Sequence, residues 1–214
     1  GGDVVLKDPR NVYVDDAVVI GAGTVVYPGV VLEGESVIGK DCVLRTGCVL
    51  ADTVVGDRCN FIYVVADHAR VADDVKIGPF VNLRPDTFIK SGCKVGDFVE
   101  IKNSVIDEGS KVPHLTYVGD ADVGKRVNVG CGCVFVNYDG FHKHRTFVGD
   151  DVFLGCQTNL VAPVRVENDT FTAAGSTITE DIQAGEMAIA RAKQVNKPGW
   201  VEKYRALKAR KSEK

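Results

Sequence analysis

A branched aliphatic residue returns at every sixth position over long stretches of this 214-residue chain. The longest uninterrupted series comprises Val71, Ile77, Leu83, Ile89, Val95 and Ile101. Six helical residues turn by about 240° beyond a full revolution, so successive members of the series would point in different directions from a helix. Short strands joined by corners satisfy the spacing, with three hexads closing a coil of about 18 residues and coils stacking about 4.8 Å apart. This period is typical of a parallel β-helix.

The apolar composition agrees with an all-β fold. The chain has 37 valines, 9 leucines and 23 glycines. β-Branched side chains lose rotamer freedom in a helix, whereas strands accommodate them. We predict a lead-in segment at residues 1–11, a β-helix of hexapeptide repeats at 12–182, and a C-terminal tail with a short basic helix at 183–214.

Charge and hydropathy exclude several classes of partner. The formal net charge is −3, which gives no general electrostatic attraction to nucleic acid or to a membrane surface. No apolar run reaches the roughly 18 residues that a membrane-spanning helix needs. No secretion signal precedes the first charged residues, so we expect a cytoplasmic protein.

The seven cysteines divide into two groups by their place in the hexad. The fifth place faces the inside of the coil and is small or β-branched, as at Val99 and Val105. The thiols at this place, which we predict to be core residues, are Cys42, Cys48, Cys59, Cys93 and Cys133. Cys131 and Cys156 occupy the third place and are predicted to be reachable from solvent. Because there is no CxxC pair and no zinc-finger spacing, we expect reduced thiols and no metal.

One informative failure of the hexad rhythm lies between Ile101 and Val118, where the spacing is 17 instead of 18. Residues 110–117 of this interval contain Pro113 and His114. Polar residues that leave the packing pattern of a stacked scaffold are the natural place for a functional site.

A second failure lies between Phe135 and Val148, where the spacing is 13 instead of 12. Residues 136–146 of this segment are rich in polar and aromatic side chains. The two breaks together therefore predict one site beside the coil.

Four motifs in and beside the breaks resemble a known enzyme family. They are residues 78–85 (GPFVNLRP), 95–102 (VGDFVEIK), 114–121 (HLTYVGDA) and 137–140 (NYDG). At this spacing they resemble the acetyltransferase half of the bacterial bifunctional glucosamine-1-phosphate acetyltransferase / N-acetylglucosamine-1-phosphate uridyltransferase, and the similarity extends over essentially the whole chain.

The resemblance implies a left-handed β-helix and a homotrimer with active sites between subunits. It implies transfer of an acetyl group from acetyl-CoA to the amine of glucosamine 1-phosphate, on the route to UDP-N-acetylglucosamine and peptidoglycan. The nucleotide-binding half of that family has no counterpart in this sequence. We therefore expect neither uridyltransferase activity nor its Mg²⁺ site from this chain.

The reaction needs a base, because much of a sugar amine is protonated and inert at neutral pH. Histidine suits this role, and His114 matches the family's base. Glu100 either orients this base or the amine, or is a solvated carboxylate. Arg84 and Lys102 match the family's phosphate contacts, and they stand one full coil of three hexads apart, which stacks them on one face. The positions that match the family's sugar contacts are Tyr117, Asn128 and Lys143.

The positions that match the family's acetyl-CoA contacts are Cys131, Asn137, Tyr138, Cys156, Ala174 and Arg191. Cys131 stands where the family commonly has Ala, and Cys156 where it commonly has Ser. These two thiols leave an acyl-cysteine route open beside direct attack of the amine in a ternary complex.

Three other interpretations compete with this one. A hexapeptide acyltransferase for another amine or hydroxyl acceptor would share the scaffold and the base. A zinc hydratase on the same coil needs three converging histidines, whereas His142 and His144 point to opposite sides of an extended segment. An ice-binding β-helix needs a regular array of one polar residue type, and the outward places here are mixed. The four motifs favour acetyl transfer to glucosamine 1-phosphate.

Overall fold

Three parallel β-sheets wind the chain into a β-helix of triangular cross-section. The computed structural model describes residues 2–212. The sheets contain 11, 10 and 9 strands, and each coil adds one short strand to each sheet. We call them the first, second and third sheets in the order in which the chain enters them. The predicted fold class, an all-β parallel β-helix of hexapeptide repeats with a C-terminal helix, is confirmed.

The strands are two to four residues long, because a corner follows each one. The strands of the first sheet are Val5–Leu6, Val25–Val26, Val43–Leu44, Asn60–Phe61, Lys76–Ile77, Lys94–Asp97, Lys111–His114, Asn128–Val129, Phe153–Leu154, Phe171–Thr172 and Met187–Ala188. The strands of the second sheet are Val12–Val14, Val30–Glu33, Val49–Ala51, Val64–Asp67, Val81–Leu83, Glu100–Lys102, Tyr117–Gly119, Val134–Val136, Asn159–Val161 and Thr177–Ile178. The strands of the third sheet are Val19–Ile20, Val37–Ile38, Val54–Val55, Arg70–Val71, Phe88–Ile89, Val105–Ile106, Ala121–Val123, Thr146–Val148 and Val164–Val166.

The three corners of the coil take their names from this order. The first corner joins the first sheet to the second, the second corner joins the second sheet to the third, and the third corner returns the chain to the first sheet. Many corner residues have positive φ, and Phe80 (59°) and Phe98 (57°) at the first corner are examples. Their rings stack with a centroid distance of 5.2 Å, so side chains of successive coils align along each corner.

The hexad aliphatics form the core. In-register pairs such as Leu83↔Ile101 and Ile101↔Val118 stack one coil above the next, and these side chains are buried. Each such burial stabilises the fold by about 1.5–3 kcal/mol relative to exposure. The thiols predicted to be core residues are buried, whereas Cys131 is half-buried and Cys156 is exposed, so this division is confirmed.

The register break between Ile101 and Val118 lies at the start of this interval, and the inward place that we predicted for Val105 was wrong. The third-sheet pairing of Ile89 with Ile106 shortens the hexad between Ile101 and Ile106 by one position, so the missing residue lies at the second corner and not in residues 110–117. Ser104 takes the inward place that we had expected for Val105, which is only partly buried. A polar residue fits there because the Ser104 hydroxyl donates to the Lys102 carbonyl (2.7 Å) and accepts from the Ala121 amide (2.9 Å).

The second break is a loop and not a pair of hexads with one extra residue. Phe135 lies in the second sheet and Val148 in the third, so a single corner separates them. The ladder pairs Ile106 with Val123 and Val123 with Val148, and the second of these steps is longer than the first by nearly half a coil. Residues 137–145 therefore project from the second corner as a loop.

Structure continues on both sides of residues 12–182. Val5–Leu6 pairs with Val25–Val26 before this range, and Met187–Ala188 pairs with Phe171–Thr172 after it. The predicted basic helix is present as Trp200–Ser212; residues 213–214 of the predicted tail, and Gly1 of the lead-in, lie outside the described residues. No helix within residues 2–212 is long and apolar enough to cross a membrane.

Candidate active site

His114 ends a first-sheet strand and stands at the edge of the first corner. Its Nδ1 lies 3.3 Å from Oδ1 of Asp97, the residue with which it pairs on the preceding coil. Both side chains are about half exposed. The strands approach closely here, because a Cβ on Gly96 would collide with the Pro113 carbonyl oxygen. The backbone therefore fixes the imidazole against a carboxylate while it stays accessible to solvent.

Glu100 does not contact His114. Its Oε1 accepts from Nη1 of Arg84 at 2.9 Å, one coil away in the second sheet. This hydrogen bond raises the pKa of Arg84, although partial desolvation opposes the shift. Glu100 therefore neither orients His114 nor is simply solvated. It is the ion-pair partner of Arg84, a predicted phosphate contact.

Two lysines approach each other next to this ion pair. Lys102 Nζ lies 3.8 Å from Oδ1 of Asp120. The adjacent Lys102 ammonium lowers the pKa of Lys143, while Asp120 and Tyr117 act in the opposite direction. The structure thus brings together three predicted substrate contacts from different parts of the chain: Lys102 and Tyr117 in the second sheet and Lys143 in the loop.

Asp120 is the buried carboxylate that contacts this cluster. It is buried and accepts hydrogen bonds from Asn103 Nδ2 (2.6 Å) and from Asn137 Nδ2. Burial opposes its ionisation, but these bonds and the nearby lysines lower the pKa of Asp120 overall. Asn137 Nδ2 also lies 3.4 Å from the Tyr117 hydroxyl, so the buried carboxylate holds both predicted binding residues in place.

The loop 137–145 is ordered by its own hydrogen bonds. Asp139 accepts from the amides of Phe141 (2.8 Å) and His142 (2.7 Å) and lies 2.7 Å from His144 Nε2. These contacts, led by the His142 amide, lower the pKa of Asp139. His144 is therefore a partner of Asp139, and within residues 2–212 no group of three or more His, Cys, Asp or Glu side chains has the arrangement of a metal site.

Tyr138 and Lys143 form the base of this loop. They make an isolated antiparallel bridge, and the Tyr138 hydroxyl donates to the Gly140 carbonyl (2.6 Å). Tyr138 is exposed, whereas Asn137 beside it is buried. The bridge holds Lys143 near Lys102 and leaves the Tyr138 ring exposed to solvent.

Four of the predicted coenzyme contacts align along the first corner. The Cys131 carbonyl accepts from the Gln157 amide (2.8 Å), and the Cys156 carbonyl accepts from the Gly175 amide (2.8 Å). Arg191 follows one coil later, with its Cδ 4.0 Å from the position of a Cβ on Gly175. The residues on this line are His114, Cys131, Cys156, Ala174 and Arg191. Four steps between stacked coils span about 19 Å.

Asn128 lies apart from the lysine cluster. It belongs to the first sheet, where it pairs with Lys111 and Phe153. The lysine cluster lies at the far edge of the second sheet, so the first corner and the second-sheet strand separate the two groups. Within one copy of the chain, Asn128 and Lys102 do not face a common point.

Sequence reasoning missed three residues of the site: Asp97, Asn103 and Asp120. Asp97 pairs with His114 across one coil, and Asp120 follows the ladder partner of Lys102, so these two are coil neighbours of residues that were identified. Asn103 follows Lys102 directly in the chain. The coil period relates such neighbours in the sequence. Asp97 could be paired with His114 only after the shortened hexad had been located.

The repeating coil and its polar corner define a hexapeptide-repeat β-helix protein with a site beside the coil. No protein-family model matches the chain. Among curated proteins, it is 56% identical over 199 residues to the bifunctional protein GlmU of Thermoanaerobacter pseudethanolicus, covering 93% of this chain and 44% of that protein. It is 52% identical to GlmU of Clostridium novyi (94% and 44% covered) and 50% identical to GlmU of Listeria welshimeri (91% and 42% covered).

The chain is thus a homologue of the C-terminal region of GlmU, which confirms the resemblance. It spans less than half of the length of these relatives. Among solved structures, it is similar to UDP-N-acetylglucosamine acyltransferases of Arabidopsis (14% identity, TM-score 0.44, 88% of this chain and 70% of that one) and of Francisella novicida (16%, 0.45, 87% and 67%).

Proposed function

We propose that this chain transfers an acetyl group from acetyl-CoA to the amine of glucosamine 1-phosphate. The observation that carries the proposal is the cluster of Arg84, Lys102 and Lys143 on coils adjacent to His114, a histidine that is paired with a carboxylate. Homology to GlmU over most of the chain supports it. Because the match covers only part of those proteins, the activity is proposed for this chain and is not transferred from them.

The charges of the cluster suit a phosphate dianion. Three cations face two carboxylates, Glu100 and Asp120, so one positive charge is left uncompensated. The mutual repulsion of Lys102 and Lys143, which lowers the pKa of Lys143, is relieved when an anion lies between them. Charge-assisted hydrogen bonds to phosphate are roughly twice as strong as neutral ones, which favours a phosphorylated sugar over a neutral one.

His114 supplies the base for the amine. Its Nε2 takes a proton from the sugar ammonium, and the free amine attacks the thioester carbonyl. The C–S bond then breaks, and CoA leaves as the thiol with the proton that the attacking nitrogen gives up as it becomes an amide. Asp97 faces Nδ1, so it favours the tautomer that leaves the Nε2 lone pair free and stabilises the charge that the ring acquires.

The coenzyme is proposed to lie along the first corner. Its reactive end would reach His114, and the line of small residues at Cys131, Cys156 and Ala174 would leave room for the thin pantetheine arm. Arg191 would meet the phosphates. Asn137 and Tyr138 are proposed to contact the coenzyme from the loop. We assign no coenzyme contact to the helix Trp200–Ser212, whose basic face is proposed to be a solvated surface.

The site is proposed to lie between subunits of a homotrimer. Asn128 and Lys102 are both expected to contact the sugar, yet they lie on different sheets of one copy. A second copy would place its first sheet against the second sheet of its neighbour. Sedimentation velocity should give a trimer, and a monomer would contradict the arrangement.

Mixed trimers test shared sites more directly. Asn128→Ala and Lys102→Met should each raise the KM for glucosamine 1-phosphate, so each alone should show little activity at a low concentration of this sugar. Co-expression should restore part of the activity, because one site per mixed trimer then combines the intact Lys102 of one copy with the intact Asn128 of another. No recovery in purified mixed trimers would contradict shared sites.

A thiol-release assay tests the acceptor. With acetyl-CoA, we expect turnover with glucosamine 1-phosphate and far less with glucosamine or serine. Turnover with serine or another hydroxyl, and none with the phosphorylated sugar, would instead identify a hexapeptide acyltransferase of another specificity. We propose a cytoplasmic location, with which the absence of disulfides among the seven cysteines agrees.

A further inference from the structure

Cys131 and Cys156 stack on successive coils at the outer side of the first corner. Their strands are in register, since Val129 pairs with Leu154 two positions earlier, and the Cys131 carbonyl accepts from the Gln157 amide. Stacked residues of parallel coils lie about 4.8 Å apart, which falls within the Cα separation of about 4.4–6.8 Å that a disulfide requires. The two thiols are therefore within bonding reach without a rearrangement of the coil.

Neither thiol has a structural task. The Sγ atoms of Cys131 and Cys156 make no hydrogen bond to any of residues 2–212, whereas the buried Cys42, Cys59 and Cys133 direct their thiols at backbone carbonyls. Cys156 is exposed and Cys131 is half-buried. Direct attack of the amine, the proposed mechanism, also makes no use of either sulfur.

The buried cysteines are enclosed in the coil, away from a reagent in solution. Burial raises the pKa of the Cys133 thiol to about 11, so little thiolate exists there at neutral pH. Cys42 and Cys59 form a second stacked pair, with the Cys59 amide 3.4 Å from Cys42 Sγ, but both lie inside the coil. The pair Cys131 and Cys156 is thus accessible to solvent, whereas the stacked pair Cys42 and Cys59 is enclosed.

We propose that Cys131 and Cys156 are an oxidisable dithiol site that reacts with low-molecular-weight disulfides. The Cys156 thiolate attacks one sulfur of the reagent, which forms a mixed disulfide and expels one thiolate. The Cys131 thiolate then attacks the Cys156 sulfur and expels the second. One disulfide is reduced to two thiols, two protein thiols are oxidised to one disulfide, and the two protons leave with the released thiols.

The site lies between His114 and Ala174 on the line along which the coenzyme is proposed to bind. This consequence rests on the proposed function: a disulfide across the corner would alter the surface under the pantetheine arm. Bound acetyl-CoA should in turn shield the pair from the reagent.

Oxidised glutathione and intact-mass measurement under native conditions test the site. The wild-type chain should lose two hydrogen atoms, carry no glutathione, and yield one peptide pair linked through Cys131 and Cys156 that dithiothreitol separates. Cys131→Ala and Cys156→Ser should each retain one glutathione adduct and form no link. These variants are tolerable because they introduce the residues that the related family commonly carries.

Two glutathione adducts on the wild-type chain, no reaction, or a link between subunits on a non-reducing gel would overturn the proposal. A link between Cys42 and Cys59 instead would also overturn it. A further arm with acetyl-CoA separates the two claims. A slower reaction supports the coenzyme path, whereas an unchanged rate with the disulfide still formed contradicts that path and leaves the dithiol site standing.

Discussion

His114 Nδ1 lies 3.3 Å from Oδ1 of Asp97, its neighbour on the preceding coil of the β-helix. The pair assigns the two ring nitrogens different tasks: Nδ1 faces the carboxylate and Nε2 is left for the substrate. His114→Ala should lower kcat by about 10²–10⁴-fold, which is the usual contribution of a general base. Circular dichroism and the oligomeric state should not change. Turnover near the wild-type rate would contradict the assignment.

Asp97→Asn separates orientation from binding. Because Asp97 acts through His114, the variant should lower kcat by about tenfold, or about 1.4 kcal/mol of barrier, and leave both KM values unchanged. Steady-state kinetics on both substrates measures this split. An increased KM with unchanged kcat would show that Asp97 binds substrate and does not position the base.

Lys102→Met and Lys143→Met should weaken binding of the phosphorylated sugar selectively. Loss of one charge-assisted hydrogen bond costs about 1.5–3 kcal/mol, so the KM for glucosamine 1-phosphate should rise by about 10- to 100-fold. Turnover of unphosphorylated glucosamine should stay the same. Lys76→Met, which removes an exposed lysine of the first sheet, is the control. An equal loss for both sugars would place the lysines outside the phosphate site.

The lysine pair also makes an electrostatic prediction. The adjacent Lys102 lowers the pKa of Lys143, so Lys102→Met should raise it. NMR titration of isotopically methylated lysines measures the change. A lower or unchanged pKa for Lys143 in the variant would show that the two ammonium groups do not repel each other.

Ionisation of Asp120 should make the thermal stability of the fold depend on pH. Its pKa is lowered in the folded chain, so the ionised form stabilises the fold above the unfolded pKa of about 3.9, and this contribution is lost as the pH falls through the lower folded value. Asp120→Asn should lower Tm at pH 7, and the difference from wild type should shrink at pH 3. Thermal unfolding at both pH values measures it. A difference of equal size at both would contradict the role of the charge.

Gly96→Ala should disturb the site through the backbone. The added Cβ would meet the Pro113 carbonyl oxygen, and overpacking of this kind costs about 1–3 kcal/mol. Because Pro113 precedes the base, we expect a lower kcat together with the lower Tm. Gly2→Ala, whose Cβ would meet nothing within 4 Å, should change neither. A stable and fully active Gly96→Ala variant would show that the strands can separate here at no cost.

The coil itself could be predicted because its signal is repeated many times. Each hexad places an aliphatic residue inside, so single errors do not hide the period. The site of the first break could not be found in this way, since a deleted residue changes the spacing equally wherever it lies between Ile101 and Val118. Ser104 can occupy the inward place because its hydroxyl hydrogen-bonds to backbone groups of the corner. These bonds are visible only once the geometry of the corner is known.

The same uncertainty hid the partner of the base. A coil of three full hexads would pair His114 with Gly96, whereas the actual coil, shortened by one position, pairs it with Asp97. Glu100 was considered instead because it lies in a recognised motif, but its side chain points to Arg84. The position of Lys143 near Lys102 depends on the fold of the loop 137–145, which no repeat encodes.

The central claim is that this site acetylates the amine of a phosphorylated amino sugar. NMR of the product formed from acetyl-CoA and glucosamine 1-phosphate, with thiol release measured in the same sample, tests it most directly. We predict one N-acetylglucosamine 1-phosphate, with its amide-linked acetyl group, for each CoA thiol released, and no thiol release without the sugar. An acetyl ester on a hydroxyl group, or thiol release with no change in the sugar, would contradict the account.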